Sequence, residues 1–118
     1  MAIKVYQYPR CSTCKKALQW LKDHGIEAEV FDITTETPDA DQLKAFWTQS
    51  GLPLKRFFNT SGMKYREMGL SERLKTMSDE EQLACLASDG MLIKRPMLVA
   101  DDGVLLGFRE KAWTEFFG

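Results

Sequence analysis

The chain has 118 residues, 44% of them apolar, with 16 basic and 17 acidic side chains and a formal charge of −1. That is enough for one ordinary domain over residues 1–118 with its own core, and a near-neutral balance excludes a global basic field for direct nucleic-acid or anionic-membrane binding. No run reaches the ~18 apolar residues of a membrane span, and Met1–Tyr8 has no leader-like character, so a cytoplasmic location is expected.

Residues Ile3 to Tyr8 alternate apolar and polar side chains before Pro9, which predicts a first strand running into a turn. From Ser12 to His24, Ala17, Leu18, Trp20 and Leu21 recur at helical spacing, and Gly25 supplies a left-handed stop. Lys15, Lys16 and Lys22 fall on its solvated face. Glu27 to Ile33 alternates again, with its apolar members expected on one side, giving a βαβ unit with a parallel pair and a right-handed crossover. A helix over Asp39–Gln49 opens at Thr37-Pro38-Asp39 and closes at Gly51-Leu52-Pro53. Leu54 to Phe58 reads as a short helical turn, Asn59-Thr60-Ser61-Gly62 as loop, and Ser78 with Glu81 as a capping box for a helix to about Ala87. Strands return at Pro96–Ala100 and Val104–Leu106, joined by the hairpin signal Asp101-Asp102-Gly103, and Arg109–Phe117 is the last helix. The order is that of an α/β thioredoxin-like (glutaredoxin-like) fold with a helical insertion.

Chemistry concentrates in Cys11-Ser12-Thr13-Cys14, at the N-terminus of the first helix. A thiolate is the nucleophilic form of cysteine, and unpaired backbone N–H groups at a helix start stabilise negative sulfur. Arg10 is expected to add a nearby cation. Cys14, one turn on, is placed to attack a mixed disulfide on Cys11 and release the product. Two cysteines at this spacing are also half of a zinc site, or an inert pair. Zinc as a rule takes four ligands, and the remaining candidates, Cys85 and His24, form no second close pair, so no metal is expected. Cys85 reads as packing and His24 as a partner of the helix C-terminus. Trp20, Phe46, Trp47, Trp113, Phe116 and Phe117 read as core. Arg95-Pro96 precedes the third strand, and from the residues alone a trans proline at a strand's first position is the default.

The block Tyr8-Pro9-Arg10-Cys11-Ser12-Thr13-Cys14-Lys15-Lys16-Ala17, with Tyr65-Arg66-Glu67-Met68-Gly69-Leu70, Asp89-Gly90-Met91-Leu92 and Leu92-Ile93-Lys94-Arg95-Pro96, resembles the arsenate reductase (ArsC)/Spx family over nearly the whole chain. The resemblance implies a thioredoxin-like fold with a helical insertion, a cis Pro96, and Cys11 as catalytic cysteine near Arg95. In the family's reductases three arginines hold the oxyanion. Arg95 matches one; Asn59 stands where another is expected; Phe108 stands near the third, which Arg109 matches after a one-residue shift. That demotes arsenate reduction, because a tetrahedral anion needs several charged donors around it.

The resemblance thus yields a thiol-dependent oxidoreductase with Cys11, Cys14 and Arg95 catalytic and Arg10, Ser12, Thr13, Asn59, Pro96 and Arg109 facing substrate. Its partners would be a thiol donor and a small oxyanion or disulfide. No cofactor would be tightly bound, and glutathione or a thioredoxin or glutaredoxin would supply electrons. The alternative from the same family is an Spx-type redox-switched regulator that binds the C-terminal domain of the RNA polymerase α-subunit.

Overall fold

A computed structural model describes residues Ala2–Gly118. Four strands, β1 (Lys4–Gln7), β2 (Glu29–Asp32), β3 (Met97–Ala100) and β4 (Gly103–Leu106), form one sheet in the order β2-β1-β3-β4. β1 pairs parallel with β2 and antiparallel with β3, and β3 with β4 form the hairpin that Asp101-Asp102-Gly103 announces. The helices are α1 (Ser12–Asp23), α2 (Ala40–Ser50), α3 (Met63–Glu67), α4 (Leu70–Arg73), α5 (Asp79–Ser88) and α6 (Glu110–Phe117). Among the described residues no helix is long and apolar enough to cross a membrane.

Strand alternation divides the interior into two cores. Val5, Leu98 and Ala100 point into one, with Ala17, Trp20 and Leu21 of α1 and Trp113 of α6. Tyr6, Met97 and Val99 point into the other, against α2 and the inserted helices, through Leu43, Tyr65, Leu70, Leu83 and Leu86. Every residue of β3 is buried, because this strand is central and covered on both faces. Here the thioredoxin-like arrangement with a helical insertion is realised.

β2 departs from expectation. It covers only Glu29–Asp32, and its apolar residues do not share a side: Phe31 stacks on Tyr6 at 5.1 Å, whereas Val30 is 47% exposed. An edge strand pairs on one side only, and Val30 stands with Leu18, Leu21 and Ile26 on the wall of an open cleft beside α1. In the middle segment, α3 and α4 are too short to leave a helical period of their own in the sequence. Gly69, at φ +62, turns the chain between them.

The insertion is fixed to the sheet end of the molecule by a short ladder. A 3-10 turn at Leu54–Phe57 leads into Phe58, which bridges Ile93 antiparallel. The Lys94 N–H donates to the Phe57 carbonyl at 2.8 Å, and the Asn59 N–H to the Leu92 carbonyl at 2.7 Å. A 3-10 turn at Gly90–Leu92 precedes this ladder, with the Asp89 carboxylate accepting from the Met91 N–H. The segment therefore carries Arg56 and Asn59 on one side and Lys94 and Arg95 on the other, on a braced backbone.

Candidate active site

Cys11 is the N-cap of α1. Its backbone is extended, its N–H donates to the Tyr8 carbonyl at 3.0 Å, and its Sγ accepts from the Cys14 N–H at 3.3 Å. The side-chain oxygen of an ordinary N-cap is thus replaced by sulfur, and a helix's free N–H groups face that sulfur. Cys11 is half-buried, Cys14 fully buried, and all three cysteines are free thiols.

The two neighbouring thiols are driven apart in acidity. Burial alone raises the Cys11 pKa, but hydrogen bonds from the Cys14 thiol and N–H, the Arg95 charge and the Thr13 N–H together bring it below the ordinary 9.0. Burial pushes Cys14 up to about 12, reinforced by its hydrogen bond to Cys11 and the nearby sulfur charge. Cys85 is likewise raised by burial, against a smaller lowering by Arg73, and packs beside the α5 core as expected.

The cation acting on Cys11 comes from far along the chain. Arg95 lies over the Tyr8 ring, with its Cζ 5.3 Å from the centroid, and its Nη1 donates to the Met91 carbonyl at 3.3 Å. Its Nε is buried without a protein acceptor. The following Arg95–Pro96 peptide is cis, in keeping with the family resemblance rather than with the trans default.

Cys11 and Arg95 open on a cavity of about 710 Å³ whose wall also includes Thr13, Arg56, Asn59, Lys94 and Arg109. Both Phe108 and Arg109 line it, so the one-residue shift between them leaves an arginine in the cavity. Of the sequence-predicted residues, Cys11, Thr13, Arg95, Asn59 and Arg109 are brought together here. Cys14 and Pro96 are buried behind this wall, while Arg10 and Ser12 are exposed and outside it. Arg10 follows Pro9 into solvent, so sequence adjacency to Cys11 does not make it the sulfur's cation. Sequence does not single out Arg56, and Lys94 and Tyr8 stand only inside motif blocks, not as site residues. The signal for the first two is the ladder between Phe57–Asn59 and Leu92–Lys94, which only the fold reveals.

His24 closes α1 as expected: its Nδ1 is 2.8 Å from the Trp20 carbonyl and its ring stacks on Trp20 at 4.0 Å. Among the described residues, no three His, Cys, Asp or Glu side chains cluster as metal ligands would.

The model of the ArsC family matches residues 6–116. The chain is 51% identical to the protein YusI of Bacillus subtilis, covering 98% of each. It is 30% identical to an arsenate reductase of Rhizobium meliloti, over 90% of this chain and 74% of that one. It is also 28% identical to the regulatory protein MgsR of Bacillus subtilis, over 87% and 80%. The crystal structure of an ArsC family related protein from Bacteroides fragilis superposes with a TM-score of 0.93 at 47% identity, covering 98% of this chain and 97% of that one.

Proposed function

The chain belongs to the ArsC family, and from that premise we propose that it is a thiol-dependent oxidoreductase with Cys11 as nucleophile and Cys14 as resolving cysteine. The observation that carries this reading is geometric: Cys11 is the N-cap of α1 with its Sγ accepting from the Cys14 N–H at 3.3 Å, a second and buried free thiol stands one helical turn on, and the Arg95 charge acts on the first. Paired groups whose environments separate their acidities take separate roles.

In the first step the Cys11 thiolate attacks one sulfur of a disulfide R–S–S–R′, the substrate S–S bond breaks, and R′S⁻ leaves. Arg95 stabilises the attacking sulfur until its charge passes to the leaving group. Cys14 then gives its proton to the departing thiolate, attacks Cys11 Sγ, and releases RS⁻. Two electrons have passed from the cysteine pair to the substrate, and the product is a Cys11–Cys14 disulfide. A thiol donor of the glutathione, thioredoxin or glutaredoxin class returns the electrons. Thr13, Asn59 and Arg109 line the space the substrate would fill.

Trapping tests this directly. Cys14→Ser protein offered arsenate, glutathione disulfide and a protein disulfide in parallel should accumulate a mixed disulfide on Cys11 and little arsenate adduct, read by peptide mass. No adduct on Cys11 with any disulfide would sink the reading. The likeness to a regulatory protein favours a second one, an Spx-type redox switch on the C-terminal domain of the RNA polymerase α-subunit. It calls for redox-dependent retention of that domain on the immobilised protein, without turnover of any disulfide.

A further inference from the structure

None of the residues Asp89 to Leu92 lines the cavity at Cys11, so this stretch does not meet a substrate there. What it supplies is a backbone acceptor: Arg95 Nη1 donates to the Met91 carbonyl at 3.3 Å. Among the described residues no carboxylate pairs with Arg95, and its Nε has no acceptor. The Met91 carbonyl and the Tyr8 face, 5.3 Å below, are what hold the guanidinium whose charge acts on the Cys11 sulfur.

That carbonyl is placed in turn by Asp89. Met91 lies in the 3-10 turn Gly90–Leu92, and the Asp89 carboxylate caps the turn by accepting from the Met91 N–H at 2.9 Å. A charged acceptor makes the stronger kind of hydrogen bond, and the first N–H groups of a helical turn have no partner within it. Residue 91 is thus held at both backbone groups, the N–H by Asp89 and the carbonyl by Arg95. Gly90 abuts the Ile33 carbonyl, which leaves the turn no room on that side. The other Asp89 oxygen lies 3.7 Å from Lys64 Nζ, a partly exposed pair of the kind that contributes little. Asp89 is not among the groups that act on the Cys11 sulfur directly, so an effect from it passes through Arg95.

Resting on the oxidoreductase reading for the use of Cys11, we infer that Asp89 is a positioning residue: by capping the Gly90–Leu92 turn it fixes the Met91 carbonyl, and through that carbonyl the Arg95 guanidinium beside the sulfur. The cap matters here, and the ion pair with Lys64 does not.

The test is the pH profile of Cys11 alkylation by iodoacetamide. Asp89→Ala should raise the inflection by about half a pH unit, because a displaced cation stabilises the thiolate less. Asp89→Glu keeps the charge for Lys64 but sets it one methylene too far out for the cap, so it should act like alanine and serves if the alanine chain does not fold. Asp89→Asn keeps the accepting oxygen and Lys64→Gln keeps the cap, so both should retain the wild-type inflection. In an Arg95→Ala background Asp89→Ala should add no shift, whereas a merely structural role would lower the thermal midpoint in both backgrounds and leave the inflection alone. An inflection unmoved by Asp89→Ala and Asp89→Glu, a shift that persists without Arg95, or one that Asp89→Asn reproduces overturns the positioning role. Oxidation of the same proteins by glutathione disulfide and 2-hydroxyethyl disulfide is followed in parallel. Shifts as stated in a protein that neither disulfide oxidises keep the positioning role and overturn the oxidoreductase reading; absent shifts in a protein oxidised to the Cys11–Cys14 disulfide do the reverse.

Discussion

Cys11 and Cys14 differ by one helical turn, yet one sulfur faces the free N–H groups of α1 and the Arg95 charge while the other is enclosed. Iodoacetamide should therefore label Cys11 first, with a rate inflection below pH 9, and label Cys14 and Cys85 only with inflections above it. Mass mapping across a pH series checks this, and faster labelling of Cys85 would contradict it. Arg95 in turn rests on the Tyr8 face. A cation–π contact of this exposure is worth about 0.5–1 kcal/mol, so Tyr8→Leu should move the Cys11 inflection upward by a few tenths of a pH unit, and Tyr8→Phe, which keeps the ring, should restore it. If the leucine variant leaves the inflection in place, Tyr8 does not position the guanidinium. The place of Cys11 at the start of α1 was legible in the sequence because its motif, strand and helix are all local. Its cation was legible only through the family resemblance, which names Arg95: the local residues point to the chain neighbour Arg10, which is exposed, whereas the effective charge arrives from residue 95.

At the scale of elements, what the sequence revealed was whatever carries local chemistry. Ser78 and Glu81 form the capping box their spacing announces, and Asp39 with Gln42 forms a second one at the start of α2. Asp39→Ala removes a cap and should cost about 1 kcal/mol, a few degrees of thermal midpoint. Gly90 is a sharper case. A Cβ there would fall onto the Ile33 carbonyl at the end of β2, and Thr37 Oγ1 would stand 3.1 Å away. No local pattern distinguishes that glycine from a turn glycine, because the obstacle is backbone far away in the chain. Gly90→Ala should force the Gly90–Leu92 turn off β2 and destabilise by about 1–3 kcal/mol or more, exceeding the loss at Asp39. Denaturant unfolding of the two variants decides it, and a neutral Gly90→Ala would show that the two segments do not need this approach. The exposed Val30 is the converse lesson: alternation predicted a buried side for β2, but being at the sheet edge overrode it.

Across the whole molecule, the thiols tie acidity to folding, because each titrates differently in the folded and unfolded chain. Cys11 lies below its ordinary 9.0 when folded, so between its lowered value and 9.0 the folded state binds fewer protons than the unfolded one. Stability from this thiolate is fully present above 9.0 and is lost as pH falls through the folded value. Cys14, pushed up to about 12, and Cys85, also raised, behave oppositely: above 9.0 the folded state holds protons that the unfolded state releases. Their contribution is intact below 9.0 and is lost as pH rises towards the folded values. Tyr6 and Tyr65, raised chiefly by burial, add to that loss above 10.0. The reduced protein should therefore gain stability from the thiols up to about pH 9 and lose it above. Cys14→Ser removes the thiol with the larger upward displacement while its hydroxyl can still donate to Cys11 Sγ, so the loss above pH 9 should flatten and the rise below it should persist. Urea unfolding of reduced wild type and of Cys14→Ser at intervals between pH 6 and 10.5 measures the difference, in which the tyrosine contributions common to both proteins cancel. Parallel pH profiles for the two proteins would mean that Cys14 is not held protonated by the fold, and would remove the acidity difference on which the division of labour between the two cysteines rests.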